Sequence, residues 1–123
     1  MLNSFTDWMT DSLSSELPNG IVAFNLNLYE DNDSFHVQLI GASTFNEADS
    51  DWACDEIFST EESLFSVSHT ITGNTWQDGL SFIKNLLIQY LDNGEKSSIL
   101  RSAQAVAIGF VDGDIEIVYR QQV

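Results

Sequence analysis

The chain has 123 residues and a formal net charge of −15. Its 43% apolar content includes eight Phe, three Trp and three Tyr, so it can build a core and is too aromatic for an acidic disordered tail. That charge argues against nucleic acid or an anionic membrane as a partner, since both are polyanions, and the lone Cys54 rules out an internal disulfide. The charge is also segregated: residues 1–83 hold fourteen Asp or Glu and no Lys or Arg, whereas Lys84, Lys96, Arg101 and Arg120 all fall in the last third.

In chain order, Leu2, Phe5, Met9 and Leu13 recur at helical spacing and predict a helix over 3–17, capped by Asn3 or Ser4 and ended by Pro18-Asn19-Gly20. The start has no basic segment followed by an apolar one, and no apolar run is long enough to span a bilayer. A soluble cytoplasmic protein is therefore expected. Residues 21–29 and 34–40 alternate as two strands. A four-residue turn at 30–33 would pair Leu28 with Phe35, Leu26 with Val37 and Phe24 with Leu39, all on one face. Residues 41–63 follow no period and read as a long loop with room for one helical turn. Phe65, Val67, His69 and Ile71 then alternate as a strand. Thr75 opens the strongest helix, 76–93, with Leu80, Ile83, Leu87 and Leu91 as its stripe and Gly94 as its stop. A short helix over 95–102 follows.

Asp112-Gly113 signals a type I′ hairpin that pairs Phe110 with Ile115, Ile108 with Ile117 and Val106 with Tyr119. Its other face carries Ala105, Ala107 and Gly109, a small-residue strip with room for a helix or a partner. The expected fold is α+β, a single domain over 1–123. One antiparallel sheet of about five strands would carry two main helices mostly on one face.

The inventory for catalysis is thin. Cys54 sits among acids, which disfavours its thiolate. His36 falls on a polar strand face and His69 on an apolar one, where a satisfied core role is the simpler reading, so no enzyme is expected. The alternating acids from Glu47 to Asp55 offer hard oxygen ligands. An EF-hand loop begun at Asp49, however, would need Gly where Cys54 stands and Glu where Thr60 stands. No metal and no cofactor are therefore expected. Asp112-Gly113-Asp114 is explained by its turn.

What remains is a surface. Seven of the fourteen acids lie between Glu47 and Glu62, and three more at 30–33. Glu30, Asp31, Asp33, Glu47, Asp49, Asp51, Asp55, Glu56, Glu61 and Glu62 are the candidate partner-binding carboxylates. Trp52 and Phe58 are the candidate aromatic anchors, provided that they are exposed. The stretches FHVQLIGASTFNEADSDWACDEIF (35–58), LSFIKNLLIQYLDNG (80–94) and AVAIGFVDGDIEIVY (105–119) resemble bacterial immunity proteins of polymorphic or contact-dependent toxin–immunity systems. The resemblance implies a stoichiometric inhibitor of a basic, nuclease-like toxin domain, and it carries no catalytic or binding residue with it. The alternatives are an acidic adaptor or regulatory domain without inhibitory activity and, third, a metal-dependent hydrolytic enzyme.

Overall fold

A computed structural model describes residues 2–121. Among them the chain forms six strands and four α-helices, an α+β arrangement. The helices are α1 (Leu2–Ser14), α2 (His69–Thr72), α3 (Trp76–Asn93) and α4 (Ser97–Arg101), and the strands are β1 (Ala23–Glu30), β2 (Ser34–Ala42), β3 (Glu56–Ser59), β4 (Phe65–Ser68), β5 (Ala105–Phe110) and β6 (Glu116–Arg120).

The sheet is mixed, not antiparallel and five-stranded. Its order is β3-β2-β1-β5-β6, with β4 also on β2, and β1 and β5 run parallel. The cause is the connection between β4 and β5. A chain that crosses one face of a sheet through helices returns in the direction it left. β4 runs antiparallel to β2, as β1 does, so β5 arrives parallel to β1.

Apolar side chains of β1 and β2 do share a face: Phe24, Leu26, Leu28, Phe35, Val37 and Leu39 are all buried. Their register differs from the expected one by two residues, with Leu28 opposite Val37 and Leu26 opposite Leu39. Asp31 N–H donates to Ser34 C=O at 3.0 Å, and the Asp31 carboxylate accepts from the backbone N–H groups of Asp33 and Ser34 at 2.9 and 2.8 Å. The turn is therefore two residues long. A slip of two keeps every side chain on its face, so alternation alone does not detect it.

Against this face pack Phe5, Met9 and Leu13 of α1, Ile83, Leu87, Tyr90 and Leu91 of α3, and Leu100 of α4. α3 lies close because Gly79 faces the sheet, where a Cβ would meet the Phe35 ring at 2.6 Å. It is the helix predicted, with Thr75 and Asp78 closing a reciprocal capping box. The buried Tyr90 hydroxyl bonds Thr10 Oγ1 at 2.9 Å and accepts from Lys96 N–H at 3.1 Å, joining three helices without an unpaired polar group.

Other expectations are corrected locally. α1 ends at Ser14, not Leu17, as Ser12 and Ser14 hydroxyls bond back to Trp8 and Thr10 carbonyls and Ser15 to Ser12. Asn3 and Ser4 lie inside its first turn, and the Leu2 side chain lies outside the described residues. α4 is shorter than 95–102. The strand expected through Ile71 stops at Ser68, whose Oγ caps α2 by accepting from Thr70 N–H, and Gly73 ends α2 at φ 102°. The C-terminal hairpin keeps Val106 opposite Tyr119, but a bulge at Val106/Ala107 then sets Ala107 opposite Ile117 and Ile108 opposite Glu116. No type I′ turn forms, because the only glycines at positive φ are Gly20 and Gly73. Instead Gly113 N–H donates to Phe110 C=O at 3.0 Å, closing a turn over 110–113, and the chain then folds back onto Gly109, where a Cβ would sit 2.4 Å from Asp114 C=O.

Candidate protein-binding surface

The aperiodic stretch 41–63 divides into two structures. Residues 43–55 form a closed loop whose ends meet where Ser43 N–H donates to Asp55 C=O at 3.0 Å and Thr44 Oγ1 to the Asp55 carboxylate at 2.6 Å. Within it, Ser50–Cys54 is a 3-10 helix capped by the Asp49 side chain. The loop crosses the sheet face opposite the helices. Trp52, 4% exposed, packs there with Phe45 over Ala23, Ile40, Ala42, Ala105 and Ala107, beside Ile115 and Ile117. The small-residue strip is thus filled by this chain's own Trp52. As a consequence, Trp52 anchors the loop to the sheet and is not a partner anchor. Glu47, at the far side of the crossing, forms an ion pair with Arg120 of β6.

The second structure runs along the outer edge of β2. β3 pairs with Ile40–Ala42, Thr60 N–H donates to Leu39 C=O at 3.0 Å, and β4 resumes pairing from Val37 to Ser34. β3 and β4 are in effect one edge strand interrupted at 61–64. The excursion carries Glu61 and Glu62, held from behind by Trp8 Nε1–H donating to Ser63 C=O at 2.8 Å. Glu61 adopts φ 53°, a left-handed conformation unusual for a side-chain-bearing residue. A charged interruption of this kind also keeps an edge strand from pairing with another chain.

The twelve candidate residues therefore do not form one patch. Glu30, Asp31 and Asp33 lie at the Ser34 end of β2. Asp49, Asp51, Asp55 and Glu56 lie near the Ala42 end, roughly 27 Å away for a nine-residue strand. Glu61 and Glu62 stand between them, and Glu47 reaches the opposite edge of the sheet. Phe58 is half-buried against the main core and helps line a groove of about 660 Å3 with Glu16, Leu17, Pro18 and Glu61. Glu16 and the exposed Ile57 of that groove were not expected; adjacent apolar residues on an edge strand, Ile57-Phe58, were the available signal, because one of the two must face outward.

Both histidines touch the acids of the first turn. His69 is close to the Phe35 ring, with centroids 4.6 Å apart, and its Nε2 lies 3.2 Å from the Glu30 carboxylate without hydrogen-bond geometry. His36 bonds the Asp31 carboxylate through Nε2 at 2.7 Å and Ser66 Oγ through Nδ1 at 2.6 Å. The Asp31 carboxyl is held down at about 2, against 3.8, by that His36 bond first and then by the Asp33 and Ser34 N–H groups. An ionised carboxylate only accepts, so His36 Nε2 must carry hydrogen, and in the neutral ring Nδ1 accepts from Ser66. The order of partners is that of a nucleophilic triad, the completing serine the sequence did not reveal. Yet Ser66 is exposed on the edge strand, and none of the three lines the groove beside Phe58. We read the chain of bonds as a clamp between the turn, β2 and β4.

The clamp has a pH signature. A carboxyl lowered in the folded state contributes stability that is complete above its unfolded value and is lost as pH falls to its folded value. The urea midpoint of the wild type should therefore fall more steeply between about pH 4 and about pH 2 than that of Asp31→Asn. Parallel curves would show that the clamp does not stabilise the fold.

Among the described residues, no three His, Cys, Asp or Glu side chains come together as a metal site, and no helix is long and apolar enough to cross a membrane. Comparison with protein-family models, with curated proteins and with solved structures found no match.

Proposed function

We propose that the chain is an acidic binding protein that neutralises a basic protein domain, as an immunity protein neutralises its toxin. The observation that supports this is electrostatic. All fourteen acids of residues 1–83 are exposed, and among the described residues Arg120 is the only Lys or Arg that pairs with any of them. A fold that leaves that much like charge facing solvent accepts self-repulsion and gains a long-range field. The outward carboxylates of Glu56, Glu61 and Glu62 along the β2 edge stand in for the phosphates a basic nuclease would hold and pair with its Lys and Arg. Binding would cover the basic surface without any bond being made or broken.

The test is co-expression with a toxin domain encoded beside this chain's gene. Growth should be restored in proportion to the amount of this protein, and the pair should co-purify at low salt and separate at high salt. Neighbouring products that are acidic, or toxicity that persists at excess of this chain, would overturn the reading.

A further inference from the structure

We infer that the apolar anchor of the partner docks in a groove outside the acidic segment, at the carboxyl ends of the parallel strands β1 and β5, and that its occupant is an apolar side chain flanked by Lys or Arg on the partner protein. The inference rests on the reading of the chain as a binder of basic proteins, and it names where that binding gains its apolar contact. The location follows from topology: where two parallel strands end and a crossover helix begins above them, a crevice opens. Here Leu28 and Phe110 are the last pair of the parallel ladder, Trp76 and Leu80 come from the first turns of α3, and the groove between them encloses about 810 Å3. That is a size typical of ligand pockets.

Two features of the walls give the occupant its chemistry. Trp76 is 53% exposed and Val111 is 54% exposed, the two most exposed large apolar side chains of the molecule's described residues. Trp76 meets Phe110 edge-on at 6.4 Å, which holds its ring at the mouth of the groove. A Trp kept in water in this way loses little freedom on binding and offers the largest apolar face available, which is why Trp dominates interface hot spots. Four of the lining residues are acidic, Glu30, Asp112, Asp114 and Glu116. Lys84 pairs with Glu116, and Glu30 faces His69, which leaves Asp112 and Asp114 without a cationic partner among the described residues. An apolar groove beside the carboxylates of Asp112 and Asp114 fits an apolar residue flanked by cations. It rejects an acidic segment, and it disfavours a second copy of this chain, which brings a further −15.

Fluorine NMR of the full chain labelled with fluorotryptophan gives one resonance for each of Trp8, Trp52 and Trp76, with Trp76→Phe assigning the last. The probe is a synthetic peptide with a Leu-Phe pair flanked by Arg and Lys; its companions carry Glu flanks, Ser flanks, or Lys alone. The expected result is that the basic Leu-Phe peptide moves the Trp76 resonance. Trp76→Ala, which is exposed and should melt as the wild type does, weakens that binding roughly tenfold or more, and Asp112→Asn with Asp114→Asn weakens it further. If the Lys-only peptide binds as tightly with Trp76 unmoved, the groove is wrong while the acidic-binder reading stands. If no basic peptide binds, both fall. Equal binding with Ser flanks, or a Trp76 shift that depends on protein concentration alone, would give the groove to a neutral ligand or to self-association and overturn the inference.

Discussion

Trp52→Ala is expected to destabilise the protein by about 3–5 kcal/mol, the range for removing a buried aromatic side chain, and to lower the melting temperature by roughly 10–20 °C for a domain of this size. Trp52 is the only large side chain among the buried residues on its face of the sheet that comes from the 43–55 loop. Beneath it lie Ala23, Ala42, Ala105 and Ala107, none able to fill the space it would leave. The other fastenings of the loop are weak by comparison. The Glu47–Arg120 pair is exposed, and pairs of that kind contribute little. Once Trp52 is gone, the loop should open before the domain unfolds, so limited proteolysis should cut within 43–55 in the variant and not in the wild type. A variant that melts within a few degrees of the wild type and resists protease would mean that the loop is held by something other than its tryptophan.

That residue also marks the boundary of what was legible in the sequence. The 76–93 helix could be read to its ends because Thr75, the apolar periodicity and Gly94 agree along eighteen residues. The shared face of β1 and β2 was legible because alternation reports faces; their register was not, because a slip of two preserves the alternation. Parallel pairing of β1 with β5 is fixed by how the helices carry the chain across the sheet, which no local pattern encodes. β3 is four residues long and becomes a strand only by pairing with β2. An aperiodic segment has no readable inner side, so Trp52 amid acids looked as much like an exposed anchor as like a core residue. The needed signal lay elsewhere, in the Ala105 and Ala107 strip, which calls for a large cover. Of the candidate surface, the exposure of the acids was legible and their distribution was not, since that depends on which edge of β2 the chain follows.

The distribution decides where a charge experiment should be aimed. Among the candidate carboxylates, Asp31 holds the first turn, Glu47 pairs with Arg120, Asp49 caps the 3-10 helix and Asp55 accepts from Thr44. Glu56, Glu61 and Glu62 have no such side-chain duties among the described residues and stand along the exposed β2 edge. Replacing all three by Lys changes the formal charge by two each, from −15 to −9. Folding should not suffer, because like charges are removed from a strongly self-repelling molecule, and the melting temperature should hold or rise. Association with a basic partner should slow by about ten- to a hundredfold at low ionic strength, since steering lifts association rates from about 10⁵–10⁶ toward 10⁸–10⁹ M⁻¹s⁻¹. At high salt, where the screening length falls to about 3 Å, wild type and variant should converge on similar rates. Stopped-flow mixing across a salt series separates the cases. Loss of the direct carboxylate pairs should show separately, as faster dissociation of the variant complex, whereas slower association at every salt concentration would mean that the substitutions disturb the shape of the surface and not only its field. An unchanged rate at low salt would mean that the field comes from elsewhere on residues 1–83, and the β2 edge would then be an edge protected against pairing and nothing more.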